Sequence, residues 1–419
     1  MISTLFDAMP SEWKLVRIKD IFNLYKGTTP STKVPEYWNG NIPFVTPTDI
    51  TALKHSNHVF LERTSKYLTE KGLKSKRLKL VPRNSLLVTT RATIGECAIN
   101  KIEVAINQGI VALIPKDHNK IDVLFYYYLI QIMKSYLKGL AGGSTYKEIS
   151  LKRLSEIQIP MPPLDEQRKI AKILYTVDMA IAKTEAVISK IEELRRALLD
   201  YLMTHGIGHK DYKETEIGKI PKEWKVVKIG DVAKIDTEPI RPKPGEKYYY
   251  IGLEDIESET GRILKDENEL IDGSQIKSTK YVFSKEHVLY GRLRPYLNKV
   301  ALPTRDGICS TDILPVLPNK NLILREYLAY LMRLPRFVEW ATSRMKGTNH
   351  PRISSRDLLE YKIPLPPIDE QKKIVEIISS VERLRDIELQ KKEQLMALKT
   401  QLMNLLLTGK VRVKDLSIN

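Results

Sequence analysis

Few residues in this chain have the types and spacing that covalent chemistry needs. Asp211 with Glu223 and Lys225 loosely matches the acid–acid–lysine constellation of nucleases. However, Glu223-Trp224-Lys225 has a second copy in Glu12-Trp13-Lys14 with no equivalent acid before it, so chance accounts for the match. His55/His58 and His205/His209 have ligand-like spacing but no third partner, so no metal site is expected. No GxxxxGK[ST] loop is present, and no GxGxxG follows a strand. The two Pro-Pro pairs follow Met161 and Leu365, where amino-methyltransferases place Asn, Asp or Ser to grip a flipped base. No nucleophile or general acid–base pair stands out, and a chain without catalysis of its own is expected.

The remaining chemistry is that of hydrogen bonding to nucleic acid. The run 71–83 carries Lys71, Lys74, Lys76, Arg77, Lys79 and Arg83 with no acid among them, which suits tracking along phosphates. Polar, Gly-rich loops supply candidate base contacts. In the first half these are Thr28, Thr29, Ser31 and Lys33 of 27–33, and Thr90 and Arg91 of 89–96. Ser144, Thr145, Tyr146 and Lys147 of 142–147 complete that set. In the second half they are Arg292, Arg294, Tyr296 and Asn298 of 291–299, with Lys346, Asn349, His350 and Arg352 of 346–352. Arginine pairs with guanine through two hydrogen bonds, Asn and Gln pair with adenine, and Ser and Thr adapt to either. Neighbouring Lys and Arg can hold phosphates while such loops read base edges.

The composition points the same way. A net charge of +17 over 419 residues calls for a polyanionic partner, while 42% hydrophobic and 28% charged residues are ordinary for a globular protein. No apolar run approaches the roughly 20 residues of a membrane span, and MISTLFDAMP lacks the features of a secretory signal. Cys97 and Cys309 fit a reducing compartment and read as small buried hydrophobes. A cytoplasmic, nucleic-acid-facing protein of two or three domains is expected.

The elements that position these loops are duplicated. IPMPPLDEQRKIA at 159–171 returns as IPLPPIDEQKKIV at 363–375, with nine of thirteen positions identical. PSEWKLVRIKDI (10–21) returns as PKEWKVVKIGDV (221–232), and GSTYKEISLKRLSEIQIP (143–160) lies over GTNHPRISSRDLLEYKIP (347–364). Between these ends short β-like runs alternate with turn signals, and one helix falls near 121–137 and another near 324–340. After each Pro-Pro pair a long helix begins, with Asp165–Glu166 or Asp369–Glu370 complementing its dipole, and Gly206 or Gly409 stopping it. Each helix, about 39 residues, would span on the order of 58 Å.

The first long helix holds a heptad frame: Ile170, Val177, Thr184, Ile191 and Leu198 in one seam row, Ile173, Ala180, Val187, Leu194 and Tyr201 in the other. An adjacent row of Leu174, Ile181, Ile188 and Leu202, with Ile378 on the second helix, is the candidate surface for docking partner subunits. The second helix breaks its frame at Glu388 and Lys391, which predicts a polar layer that fixes the register of an antiparallel pair.

The duplicated PPLDEQRKI and PPIDEQKKI openings, the two Trp-Lys strands, YWNGNIPFVTPTDI (37–50) and RLRPYL (292–297) together resemble the DNA-specificity (S) subunit of type I restriction–modification systems over nearly the whole chain. The resemblance implies an α+β fold, with two α/β globular target-recognition domains in pseudo-two-fold arrangement, separated by two long antiparallel coiled-coil helices. The expected boundaries are 1–162 for the first recognition domain, 163–205 for the first spacer helix, 206–220 for a linker, 221–366 for the second domain, 367–408 for the second helix and 409–419 for a tail. It further implies that each domain reads one half of a bipartite target in double-stranded DNA. The helices set the gap and dock two modification (methyltransferase) subunits, which restriction subunits then join. S-adenosylmethionine, ATP and Mg would belong to those partners, leaving no cofactor and no metal in this chain. The competing reading is a coiled-coil scaffold without sequence-dependent DNA affinity.

Overall fold

The structure, a computed structural model, describes residues 5–7, 9–55, 58–142 and 147–413, except the side chains of 54 and 55. It divides into two compact units, the first holding residues up to Ile188 together with those from Ile387 onward, the second Ser189–Asp386. Each unit takes part of both long helices.

In the first unit the duplicated opening and closing segments pair with each other: Lys14–Arg17 runs antiparallel to Gln158–Met161. The block enclosed between them is a five-stranded sheet ordered Phe22–Lys26, Ile110–Pro115, Leu86–Thr89, Cys97–Asn100, Phe60–Leu61, beside a three-stranded sheet of Lys66–Leu68, Trp38–Val45 and Ala105–Ile106. Leu86, Leu87, Val88 and Thr89 are buried on both faces, which is why this run does not alternate. Leu87, Ala98, Ile106 and Ala112 form a core on one side. On the other, the helix Val123–Ile132 sets Phe125, Tyr126 and Tyr128 against Phe22, Val88 and Val111. Ile170 and Leu174 of the first long helix, Met403 and Leu406 of the second and Leu407 just beyond it close this larger core.

The second unit repeats the plan. Lys225–Lys228 pairs with Lys362–Leu365. Sheets ordered Ala233–Ile235, Ile313–Pro318, Val288–Gly291, Val300–Ala301 and Pro239–Ile240, Lys280–Phe283, Gly307–Cys309, Tyr250–Ile251 carry the block, with helices Arg325–Arg333 and Pro335–Ser343. The expected linker is a hairpin, Tyr212–Thr215 with Gly218–Pro221.

The long helices run Leu164–His205 and Ile368–Leu406. Within the first unit Asp178 pairs with Lys399 (2.6 Å) and Glu185 with Lys392 (2.7 Å), so numbers rise on one helix as they fall on the other. Within the second, Glu192 meets Arg385 and Arg195 meets Glu382, both at 3.6 Å, again antiparallel. Tyr128 donates to Asp178 (2.6 Å) and Tyr330 to Glu382 (2.8 Å), tying each ionic layer to its globular block. The polar layer expected at Glu388 and Lys391 is not one of these. Those side chains pair with each other at 3.2 Å along one helix.

The helix openings carry more than the dipole argument assigned to them. Glu166 accepts the Trp13 indole N–H (3.0 Å) and a two-bonded Arg412 guanidinium (2.6 and 2.8 Å). Glu370 accepts the Trp224 indole (2.9 Å), the Ile207 backbone N–H (3.0 Å) and His209 (2.7 Å). The next residue repeats as closely. Gln167 bonds Pro162 O, Lys120 O and Asp122 N, and Gln371 bonds Pro366 O, Leu322 O and Leu324 N. Each Glu-Gln pair thus pins a helix start to the opening strand and to the loop before the buried helix. Gly206 (φ +67°) turns the chain at a helix end where a Cβ would lie 2.4 Å from the Glu370 carboxylate, so only glycine fits.

Candidate nucleic-acid interface

In the first unit three loops meet beside the strand Leu86–Thr89. Thr90 N–H bonds Gly109 O (2.8 Å), Ile149 N–H bonds Thr90 O (3.1 Å), and Gly27 N–H bonds Ile110 O (3.2 Å). A Cβ on Gly27 would lie 2.1 Å from Ile106 O, so glycine alone permits this approach. Asn107 donates to Thr29 Oγ1 (2.9 Å) and joins the loop 27–33 to the turn 107–109. The sequence reading ran one strand through 104–114, whereas the structure breaks it into Ala105–Ile106 and Ile110–Pro115 around this turn. An Asn two residues before Gly was the available signal.

Glu148 sits at the centre, with Lys26 at 2.5 Å and Arg91 at 2.8 Å. Burial alone would raise its pKa, but the Arg91 and Lys26 hydrogen bonds prevail and hold the carboxyl below the usual range. Arg91, Gln108, Lys138, Lys147 and Glu148 line an open cavity of about 830 Å³.

These facts sort the candidates. Thr28, Ser31, Lys33, Lys76, Arg77 and Lys147 are exposed, while Thr29 is half-buried. Thr90 is wholly buried and holds loops together, so its hydroxyl is not offered to DNA. One terminal nitrogen of Arg91 is paired with Glu148 at 2.8 Å, which leaves the side chain 39% exposed. Ser144, Thr145 and Tyr146 lie outside the described residues.

The second unit builds the same junction. Arg292 N–H bonds Asp312 O (2.9 Å) and Ile353 N–H bonds Arg292 O (3.1 Å). Arg352 is bound to Asp312 (2.6 Å) and Arg292 Nε to Ile353 O (3.2 Å), so both guanidiniums are tethered within the junction. Asn298, at φ +48°, donates to Arg333 O (3.1 Å) and shapes a turn rather than facing outward. Arg294, Tyr296, Lys346, Asn349 and His350 are exposed. The turns 107–109 and 310–312 were absent from the sequence-derived set.

The candidate docking row is mostly buried. Leu174, Ile181, Leu202 and Ile378 are 0–5% exposed and Ile188 is half-buried, because they pack inside the units. The second seam row turns out instead: Val187, Leu194 and Tyr201 are 38%, 49% and 54% exposed. A strict seven-residue repeat drifts about 20° per heptad around a helix of 3.6 residues per turn, which carries this row progressively out of the buried stripe. Ile377, Leu384, Leu398 and Leu405 are likewise exposed on the second helix. Among the described residues no cluster of three or more His, Cys, Asp or Glu could hold a metal, and no helix is long and apolar enough to cross a membrane.

The family model described as the type I restriction modification DNA specificity domain matches residues 10–193 and again 221–397. The chain belongs to that family. The two matched segments bracket the duplicated blocks and most of both specificity-domain helices. Among relatives of this specificity family, the type I restriction enzyme MjaIX specificity subunit of Methanocaldococcus jannaschii is 28% identical, with 97% of this chain and 95% of the relative covered. The MjaVIII specificity subunit of the same organism is also 28% identical, covering 98% and 95%. The crystal structure of a type I restriction–modification S subunit from M. genitalium shares the fold, with TM-score 0.56, 16% identity and coverage of 95% and 96%.

Proposed function

We propose that this chain is the DNA-reading subunit of a type I restriction–modification complex and has no catalytic centre of its own. Each globular block reads one half of a bipartite target in double-stranded DNA. The carrying observation is that one hydrogen-bonded loop junction occurs in both blocks but presents different outward side chains, as two unlike half-sites require. Exposed Lys33, Lys76, Arg77 and Lys147 supply phosphate contacts around the first junction, and Arg294 and Lys346 around the second.

The long helices set the gap between half-sites. They dock two modification subunits through exposed apolar side chains, Val187, Leu398 and Leu405 in the first unit and Leu194, Tyr201, Ile377 and Leu384 in the second, and restriction subunits join that assembly. S-adenosylmethionine, ATP and Mg serve in those partners, and the complex works in the cytoplasm. Co-expressing the chain with its modification subunit and mapping modified adenines genome-wide tests the reading. A two-part motif with a fixed gap is expected; modification without such a motif overturns it.

A further inference from the structure

We propose that Gln108 is the side chain with which the first block reads an adenine edge in the major groove, and that Thr311 holds the same reading position in the second. This rests on the function proposed above and names the residues that carry its specificity.

The turn beneath Gln108 is fixed on every side. Asn107 N–H bonds Val45 O (2.9 Å), Ile110 N–H bonds Asn107 O (3.0 Å), and Thr90 N–H bonds Gly109 O (2.8 Å). Gly109 N–H bonds the Asn107 side chain (2.8 Å), whose amide also reaches Thr29. Around Thr311 four of these five bonds have counterparts. Ser310 N–H bonds Ile251 O (3.0 Å), Ile313 N–H bonds Ser310 O (2.9 Å), Arg292 N–H bonds Asp312 O (2.9 Å), and Asp312 N–H bonds the Ser310 hydroxyl (3.3 Å). Both scaffolds leave one outward side chain between two tethered residues. Gln108 and Thr311 are exposed, and the Gln108 amide makes no hydrogen bond among the described residues.

The arginines nearest these turns are committed elsewhere, Arg91 to Glu148 and Arg352 to Asp312. The turn tips are exposed hydrogen-bonding groups on a fixed base, where little orientational freedom remains to be lost on binding. The carboxamide of Gln108 offers one donor and one acceptor side, which match N7 and the N6 amino group of adenine. Lys138 and Lys147 line the same cavity and can hold the flanking phosphates. The tip side chain makes none of the hydrogen bonds that fix either turn, so exchanging it should change what is read without disturbing the fold.

The test uses the full chain in complex with its modification subunit and measures affinity for duplexes varied one base pair at a time. Wild type should prefer a two-part sequence. Gln108→Ala should lose roughly 10- to 100-fold discrimination for adenine at one position of one half-site, leaving the other half-site untouched. Gln108→Glu, nearly isosteric but accepting only, should shift that position toward cytosine. Unchanged preference at every position in both variants overturns the assignment. So does an equal loss on all sequences, the result expected of Lys76→Ala. Absence of any two-part preference in wild type would overturn the proposed function itself, a failure distinct from that of the Gln108 assignment.

Discussion

Glu166 is the residue on which the first unit closes. It joins an indole from the opening strand to a guanidinium from the chain's far end, and their hydrogen bonds outweigh burial to hold its pKa below the ordinary value. A carboxylate with a depressed folded pKa stabilises the fold above its unfolded value and loses that contribution as pH falls. Glu166→Gln should therefore lower stability at neutral pH by about 1.5–3 kcal/mol, the range for hydrogen bonds to charged groups. The deficit relative to wild type should close as pH drops below the unfolded value of 4.5. Thermal melts across pH check this, and a deficit independent of pH would contradict it. The duplicated helix openings and the glycine stops were legible, but the acids read only as complements to the helix dipole, and Gln167 and Gln371 did not stand out. The partners of Glu166 were not legible, since Trp13 and Arg412 lie 153 and 246 residues away in the chain. The pairing of Arg91 with Glu148 was hidden by the same kind of separation, and so Arg91 looked free.

At the scale of elements, the helices were legible in length and ends but not in the face they present. The heptad frame was real, yet rows only one residue apart traded places: Leu174 is buried and Leu194 is 49% exposed. A helix packed against both a partner helix and a globular block needs a wide buried stripe, and periodicity alone does not say on which side it widens. Ionic layers replaced the expected register device because charges that look solvated in a linear frame, such as Asp178 and Lys399, meet across the helices. Leu194→Asp should change stability by no more than about 0.5 kcal/mol, as surface substitutions usually do. It should nevertheless weaken capture of the modification subunit in co-purification. Leu174→Asp should instead unfold the first unit by burying an unpaired charge. Undiminished capture by Leu194→Asp would remove this row as the docking surface.

The whole molecule has separate principal cores, one with Trp13, Tyr126 and Leu407, the other with Trp224, Tyr327 and Leu202. Calorimetry should resolve their responses. Leu407→Ala, at a position with no exposure, should destabilise the first unit by about 2–5 kcal/mol and leave the second unmoved. Limited proteolysis should then cut first within the segment preceding Ile188, while Ser189–Asp386 stays protected; simultaneous loss of both would mean a single cooperative fold. The membership of Leu407 and Arg412 also bears on synthesis. A ribosome makes Leu407 only after the whole of the second unit, so the unit holding Trp13 cannot finish its core until the other has been synthesised. The second unit, complete within one continuous stretch, can fold while the earlier one still waits with apolar surface open. During synthesis the first unit thus spends longer than the second with apolar surface uncovered.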